Sequence, residues 1–137
     1  MTPSPTLHSE RRAAPSMPVW AFAIIDALLI MIFAGIGRAS HGEAISGIAM
    51  TAWPFLVGGA VGWIVSRAWR RPEIIFPTGV AIWVSTVVVG MILRAITGAG
   101  THWSFIIVAT IATGVFLLGF RLVIRLIQRF AHGPTAK

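Results

Sequence analysis

The chain has 137 residues, of which 56% are hydrophobic and only 11% are charged, and its mean hydropathy is +0.84. Soluble domains carry about 25% charged residues, so the composition excludes an ordinary soluble domain and indicates a membrane protein with room for one small bundle. The absence of cysteine excludes disulfides, thiol catalysis and cysteine-ligated metal centres. The net charge of +7 comes from basic residues that flank apolar segments, so we do not expect nucleic-acid binding.

Four apolar segments follow an N-terminal tail, residues 1–17, whose Pro, Ser and Thr content predicts disorder. A membrane-spanning helix needs about 20 apolar residues, and each segment is about that long. The sequence therefore predicts an all-α, four-helix transmembrane bundle within residues 18–130, with a second tail at 131–137. The predicted helices occupy residues 18–37, 44–66, 76–97 and 103–124.

The first predicted helix carries one charged residue, Asp26, near its middle. A carboxylate in the bilayer core costs about 2.5–3.5 kcal/mol on insertion scales, so it usually faces a bundle interior or a watery cavity. Because desolvation penalises the charged form, we expect Asp26 to be wholly or partly protonated at neutral pH. The expected polar layer around it contains Pro54, Thr86 and Thr113, together with the Met50 carbonyl that Pro54 leaves without its helical donor.

The second predicted helix has one face of small and polar residues, at steps of three and four. They are Gly47, Thr51, Pro54, Gly58, Gly62 and Ser66. Gly58 and Gly62 form the small-xxx-small pattern that lets membrane helices approach closely. This face is predicted to pack against another helix, within the chain or across an oligomer.

The third predicted helix places Trp83, Thr86, Gly90 and Arg94 on one face. Thr86 and Gly90 form a small polar groove, with Gly90 expected to serve packing. Arg94 has three interpretations: it snorkels to the headgroups, pairs with Asp26, or holds an anionic substrate. By helical rise it lies about 12 Å shallower than Asp26, which disfavours a direct pair.

The outer connections gather Arg38, His41, Glu43 and His102 close to Arg94. We expect an anion or lipid-headgroup site there, or simply a structural turn. A metal site built from His41, Glu43 and His102 is the weaker alternative, because nothing in the sequence fixes its geometry. No metal and no cofactor is expected.

The end of the fourth predicted helix carries Arg121, Arg125 and Arg129 at steps of four, which form one stripe. One interpretation is binding of anionic lipid headgroups by a cytoplasmic extension of the helix. The favoured interpretation is a topology anchor with a solvated face.

Together these residues resemble the small four-helix membrane family known as domain of unknown function 3054. The resemblance covers nearly everything between the two tails and implies a four-helix plasma-membrane protein, but it implies no activity, substrate or catalytic residue. The matching positions are Asp26; Gly37-Arg38-Ala39-Ser40-His41-Gly42; Trp53-Pro54-Phe55; Arg67-Ala68-Trp69-Arg70-Arg71-Pro72; Pro77-Thr78-Gly79-Val80 and Trp83; Gly90-Met91 and Arg94; Gly98, Gly100 and Thr101; and Phe116-Leu117-Leu118-Gly119.

Three classes of function fit the sequence. The first is a small transporter or permeation subunit with Asp26 as a proton or cation site. The second is a structural or assembly subunit of a larger membrane complex, and the third is an intramembrane enzyme acting on lipid. No known reaction motif is present, so we do not expect an enzyme. Four short helices enclose little volume, which favours a homo-oligomer or a larger complex.

Charge asymmetry predicts the topology. Nine of the 11 Lys and Arg residues lie on the side of the two tails and the middle connection, and only Arg38 and Arg94 lie on the other. The positive-inside rule therefore places both termini in the cytoplasm. Topology reporters fused at Gly133 and at Gly42 should give opposite signals, and a C-terminal reporter that is active only outside the cytoplasm would reverse this assignment.

Overall fold

The computed structural model describes residues 17–133, so most of the two predicted tails, 1–17 and 131–137, lies outside the described residues. The prediction of an all-α fold is confirmed: the described chain forms four helices, each apolar and long enough, with its lead-in turn, to cross a membrane. They are α1 (Val19–Ser40), α2 (Ile48–Ser66), α3 (Val80–Ile96) and α4 (Trp103–Ala131).

Short turns precede the second and third helices. A tight turn at Ile45–Gly47 leads into α2, and a wide turn at Ile75–Gly79 leads into α3. The connections α1–α2 and α3–α4 meet at one end of the bundle. We call this the outer end, following the predicted topology. The opposite end, with the α2–α3 connection and both chain termini, is the inner end.

Helix boundaries differ from the predicted ones by three residues or more in four places, one of which is the start of α2 at Ile48 rather than at residue 44. α1 continues to Ser40, and α4 continues to Ala131 because no Gly or Pro lies between its predicted end at residue 124 and Gly133. α3 begins at Val80 rather than at residue 76. Phe76 has an extended backbone (φ −121°, ψ 128°), as expected of the residue before a proline.

The two faces of α1 show how the bundle meets the bilayer. Its buried face contains Phe22, Asp26, Ile30 and Phe33. The opposite face exposes a continuous apolar stripe of Ile24, Leu28, Ile32 and Ile36. In water this stripe would be an aggregation hazard, whereas in a bilayer it contacts acyl chains. The chain is therefore a multi-pass membrane protein.

The closest helix pair is α2 and α3, which approach through two glycines of α2. A Cβ added at Gly58 would lie 2.8 Å from the carbonyl oxygens of Ser85 and Thr86, and one at Gly62 would lie 2.7 Å from the Ile82 Cα. The Ser85 hydroxyl also donates to the Gly58 carbonyl at 2.8 Å. The face predicted to pack thus lies against α3 of the same chain, backbone to backbone.

Farther toward the outer end, Phe55 follows the buried Pro54 on α2 and fills the space left by Gly90 of α3. The Phe55 ring packs edge-on against Phe33 of α1, with centroids 5.3 Å apart, and lies 6.2 Å from the ring of Phe105 on α4. This aromatic cluster (Phe33, Phe55, Phe105) joins three helices and forms the apolar floor of the outer end.

Replacing Gly58 with Ala tests the close approach. The new methyl group meets backbone atoms that cannot move independently, so α2 and α3 must separate, at a cost of about 1–3 kcal/mol. Gly119→Ala is the matched control, because a Cβ there meets nothing within 4 Å. That change should be neutral or stabilising by up to about 1 kcal/mol. Thermal unfolding midpoints of the two variants in detergent check this, and equal midpoints would contradict it.

Candidate functional site

Asp26 of α1 and Arg121 of α4 form an ion pair inside the bundle. Arg121 Nη1 donates to Asp26 Oδ1 at 2.8 Å, and Nη2 donates to Oδ2 at 2.7 Å. Both residues are buried, with 3% of Asp26 and none of Arg121 exposed. Two parallel charge-assisted bonds of this kind are the strongest geometry available to an arginine and a carboxylate.

Further hydrogen bonds extend the pair to the rest of the bundle. Trp63 of α2 donates its indole N–H to Asp26 Oδ2 at 2.8 Å. Arg121 Nε donates to the Pro72 carbonyl in the α2–α3 connection at 2.9 Å, and Nη1 also donates to the Leu117 carbonyl at 2.8 Å. One arginine therefore ties α1, α4 and the α2–α3 connection together, and Asp26 brings in α2.

Both interpretations of Arg121 as part of a surface stripe, as a headgroup-binding residue or as a topology anchor with a solvated face, were wrong. Arg121 lies fully inside the bundle, whereas Arg125 and Arg129 are exposed. The expectation that Asp26 lacks a close cation was wrong for the same reason. Arg121 is the only charged residue within the predicted span 103–124, and charged residues inside spans usually pair with one another. That signal could have identified the pair.

The predicted depth of Asp26 in the membrane was also wrong, because α1 continues to Ser40. Asp26 is seven residues from the helix start at Val19, which is about 10 Å along the axis, so it lies in the inner half. Its hydrogen bonds reach neither Thr86 nor Thr113. The two threonine hydroxyls donate instead to carbonyls of their own helices. The two threonines of the predicted polar layer therefore do not hold Asp26 in place.

The outer end contains a cavity of about 210 Å³, to which all four helices contribute. Its floor is apolar, formed by Phe33, Ala34 and Phe105, while two arginines and several polar groups form its rim. The rim consists of Gly37, Arg38, His41, Glu43, Thr51 and Arg94. The structure thus brings together three of the predicted site residues (Arg38, His41 and Arg94), and it separates them from Asp26 and Thr86.

Arg38 has its hydrogen-bonding capacity largely satisfied within the rim. Its Nε donates to the Ala44 carbonyl at 2.8 Å, and its Nη1 donates to the Thr51 hydroxyl at 2.9 Å. The same Nη1 lies 2.9 Å from Glu43 Oε2. Arg38 therefore holds the α1–α2 connection against the start of α2, and its charge is matched by Glu43.

Arg94 is less completely satisfied. Its Nη2 donates to the Gly100 carbonyl at 3.0 Å, and its guanidinium carbon lies 4.4 Å from the centroid of the Phe105 ring. Its Nε is buried and has no hydrogen-bond partner, the sole such side-chain atom among residues 17–133. Leaving a buried donor unsatisfied costs about 1–3 kcal/mol, and more for a charged group. The rim of the cavity therefore holds a cation with an unused donor.

The alternative of a metal site finds no geometry in the described part of the chain. Glu43 is paired with Arg38, and the His102 ring nitrogen lies 3.3 Å from the Ser104 hydroxyl. No group of three His, Asp or Glu side chains converges among residues 17–133. The outer cavity is instead suited to an anion, because its unmatched group is a guanidinium.

Comparison with known proteins shows the family. The family model described as protein of unknown function (DUF3054) matches residues 23–124. Because this match covers most of the chain, the protein belongs to that family. No curated protein and no solved structure matches. The matched range contains both the ion pair and the two arginines of the outer cavity.

Removing one partner of the ion pair should be costly. Arg121→Met leaves the Asp26 carboxylate buried without its cation, and losses of about 3–5 kcal/mol are typical for such changes. Combining Asp26→Leu with Arg121→Met should recover most of this loss, because two apolar side chains leave no buried charge. The thermal unfolding midpoint of each variant in detergent measures the difference.

Arg125→Met is the matched control, since Arg125 lies one turn farther along α4 and is exposed. Its midpoint should differ little from that of the unmodified protein, because surface substitutions usually change stability by about 0.5 kcal/mol or less. If Arg121→Met were as well tolerated as Arg125→Met, the pair would not be holding the helices together.

Proposed function

We propose that this protein is a plasma-membrane transporter or permeation subunit that binds a small anion in its outer cavity. The observation that carries the proposal is the guanidinium of Arg94 at the rim of that cavity, which forms no ion pair with a carboxylate among residues 17–133. A guanidinium presents several donors in a fixed fork that matches carboxylates and phosphates. An anion seated there would supply the counter-charge that the described part of the chain does not place in contact with Arg94.

The second support is the contrast between the two ends of the bundle. At the inner end, Asp26, Arg121, Trp63 and the Pro72 carbonyl form a closed network. A cavity of about 370 Å³ borders Asp26 between α1 and α2, but its lining is mainly apolar and its one carboxylate is already paired, whereas the outer cavity is lined by two arginines. A solute would therefore enter from the outer side and meet the ion pair as a barrier on its way inward.

The proposed binding site is not the one expected from the sequence, which was centred on Asp26. Both carboxylate oxygens of Asp26 already accept hydrogen bonds from Arg121, and one also accepts from Trp63. Both carboxylate oxygens are therefore already engaged by donors of the protein, although Asp26 also borders a cavity between α1 and α2. The geometry favours Asp26 as a residue that closes the inner half of the bundle.

A structural or assembly subunit is the second candidate, and the same ion pair favours it. The pair joins three helices and a connection, which is what a scaffold requires. A small bundle of this kind would work within a homo-oligomer or a larger complex. We propose a non-enzymatic role in either case, because Glu43, the one acid among residues 17–133 that lines the cavity, is engaged with Arg38.

Anion binding tests the proposal directly. The purified protein is placed in nanodiscs of zwitterionic lipid and titrated calorimetrically with acetate, butyrate and inorganic phosphate. At least one anion should bind, and Arg94→Gln should weaken that binding roughly 10- to 100-fold, the equivalent of one hydrogen bond to a charged group. Arg94→Lys should retain part of it, because the charge remains but the fork is lost.

Arg129→Gln is the control for this experiment, since Arg129 is exposed near the end of α4. It removes the same charge and should leave the affinity unchanged. Equal affinities for Arg94→Gln and Arg129→Gln would refute the site. Anion flux into proteoliposomes then separates the two candidates: binding without flux would favour the assembly subunit over the transporter.

A further inference from the structure

Resting on the proposed function, we infer that the outer cavity selects a small monocarboxylate with an apolar body, and that Glu43 sets the ligand's single charge. The inference concerns the class of ligand and the residue that determines specificity. It rests on the charges at the rim, on the apolar floor and on the size of the cavity.

The charge balance of the rim calls for one negative charge. Two guanidiniums, those of Arg38 and Arg94, line the cavity together with one carboxylate, that of Glu43. Glu43 pairs with Arg38 at 2.9 Å, so of the two guanidiniums and one carboxylate at the rim, the positive charge of Arg94 is left without an ion-pair partner. A monoanion neutralises it. A dianion would leave an excess negative charge close to Glu43, where like charges repel.

Arg94 can hold a carboxylate by two donors. Its Nη1 makes no hydrogen bond with residues 17–133, and its Nη2 carries two hydrogens, of which the Gly100 carbonyl accepts one. A carboxylate placed against this guanidinium can therefore receive two hydrogen bonds. Paired bonds of this type add geometric specificity as well as energy, which an uncharged or single-acceptor solute would not obtain.

The floor and the volume restrict the rest of the ligand. Phe33, Ala34 and Phe105 present apolar atoms directly beneath the rim. At about 210 Å³, the cavity is smaller than the roughly 300–1,000 Å³ typical of sites for drug-sized molecules. A short alkyl group fits these walls and gains from leaving water, by about 0.8 kcal/mol for each buried CH₂.

The experiment compares acetate, butyrate, succinate and inorganic phosphate by calorimetry in zwitterionic nanodiscs. Butyrate should bind at least ten times more tightly than acetate, succinate or phosphate. Glu43→Gln should raise the affinity for succinate relative to butyrate by about tenfold, because the rim then carries two uncompensated positive charges. Glu73→Gln removes a carboxylate that lies outside the cavity and should leave the order of affinities unchanged.

Results other than those expected would contradict different parts of the argument. If succinate or phosphate binds most tightly and the binding depends on Arg94, the monocarboxylate inference fails while the proposed anion site stands. If no anion binds in an Arg94-dependent manner, both fail. If Glu43→Gln leaves the succinate-to-butyrate ratio unchanged, Glu43 does not set the charge.

A lipid headgroup offers the same single charge as a monocarboxylate, so nanodiscs containing an anionic phospholipid form a separate arm. Butyrate affinity should be the same in zwitterionic and in anionic nanodiscs. A large loss of butyrate affinity in the anionic nanodiscs, dependent on Arg94, would identify the headgroup as the ligand and overturn the inference of a free solute.

Discussion

The Asp26–Arg121 ion pair is the interaction on which the inner half of the bundle depends. Lipid tails are as apolar as the helix surfaces, so burial of apolar side chains gives membrane helices little reason to associate. Here a carboxylate and a guanidinium, each costly in hydrocarbon, find full compensation only when α1 and α4 lie together. The Trp63 indole and the Pro72 carbonyl satisfy the remaining bonds and add α2 and its following connection. The energetic penalty of burying the charges thus becomes a constraint on helix arrangement.

The middle and outer parts of the bundle are held by different means. Gly58 and Gly62 bring the backbones of α2 and α3 into contact, and this close approach replaces polar pairing with dispersion contacts. Toward the outer end, the rings of Phe33, Phe55 and Phe105 fill the space between three helices. Two of these rings, Phe33 and Phe105, also line the outer cavity, so the cavity lies directly against the aromatic cluster.

Some of these structural features could be predicted from the sequence, and others could not. Continuous apolar runs identified the four spans, and the spacing of Gly58 and Gly62 marked the face that lies against α3, because both signals are local to one helix. Arg121 was misassigned because its four-residue spacing to Arg125 suggested a surface stripe, and spacing within a helix does not reveal which neighbouring helix supplies a partner. The indole of Trp63 and the Pro72 carbonyl could not be foreseen, since their contacts depend on rotation and depth across helices.

The importance of the outer cavity follows from a comparison of Arg94 with the other arginines of the bundle. Asp26 and Arg121 compensate one another, Arg38 is matched by Glu43, and Arg125 and Arg129 are exposed near the end of α4. Arg94 lies within α3, and its partners among residues 17–133 are a carbonyl and the face of Phe105. A cation–π contact contributes about 0.5–2 kcal/mol, but it does not neutralise the charge of the guanidinium. This helix thus carries a cation that no carboxylate among residues 17–133 contacts, since Glu43 pairs directly with Arg38 instead. The anion proposed above would supply the missing contact from outside the chain.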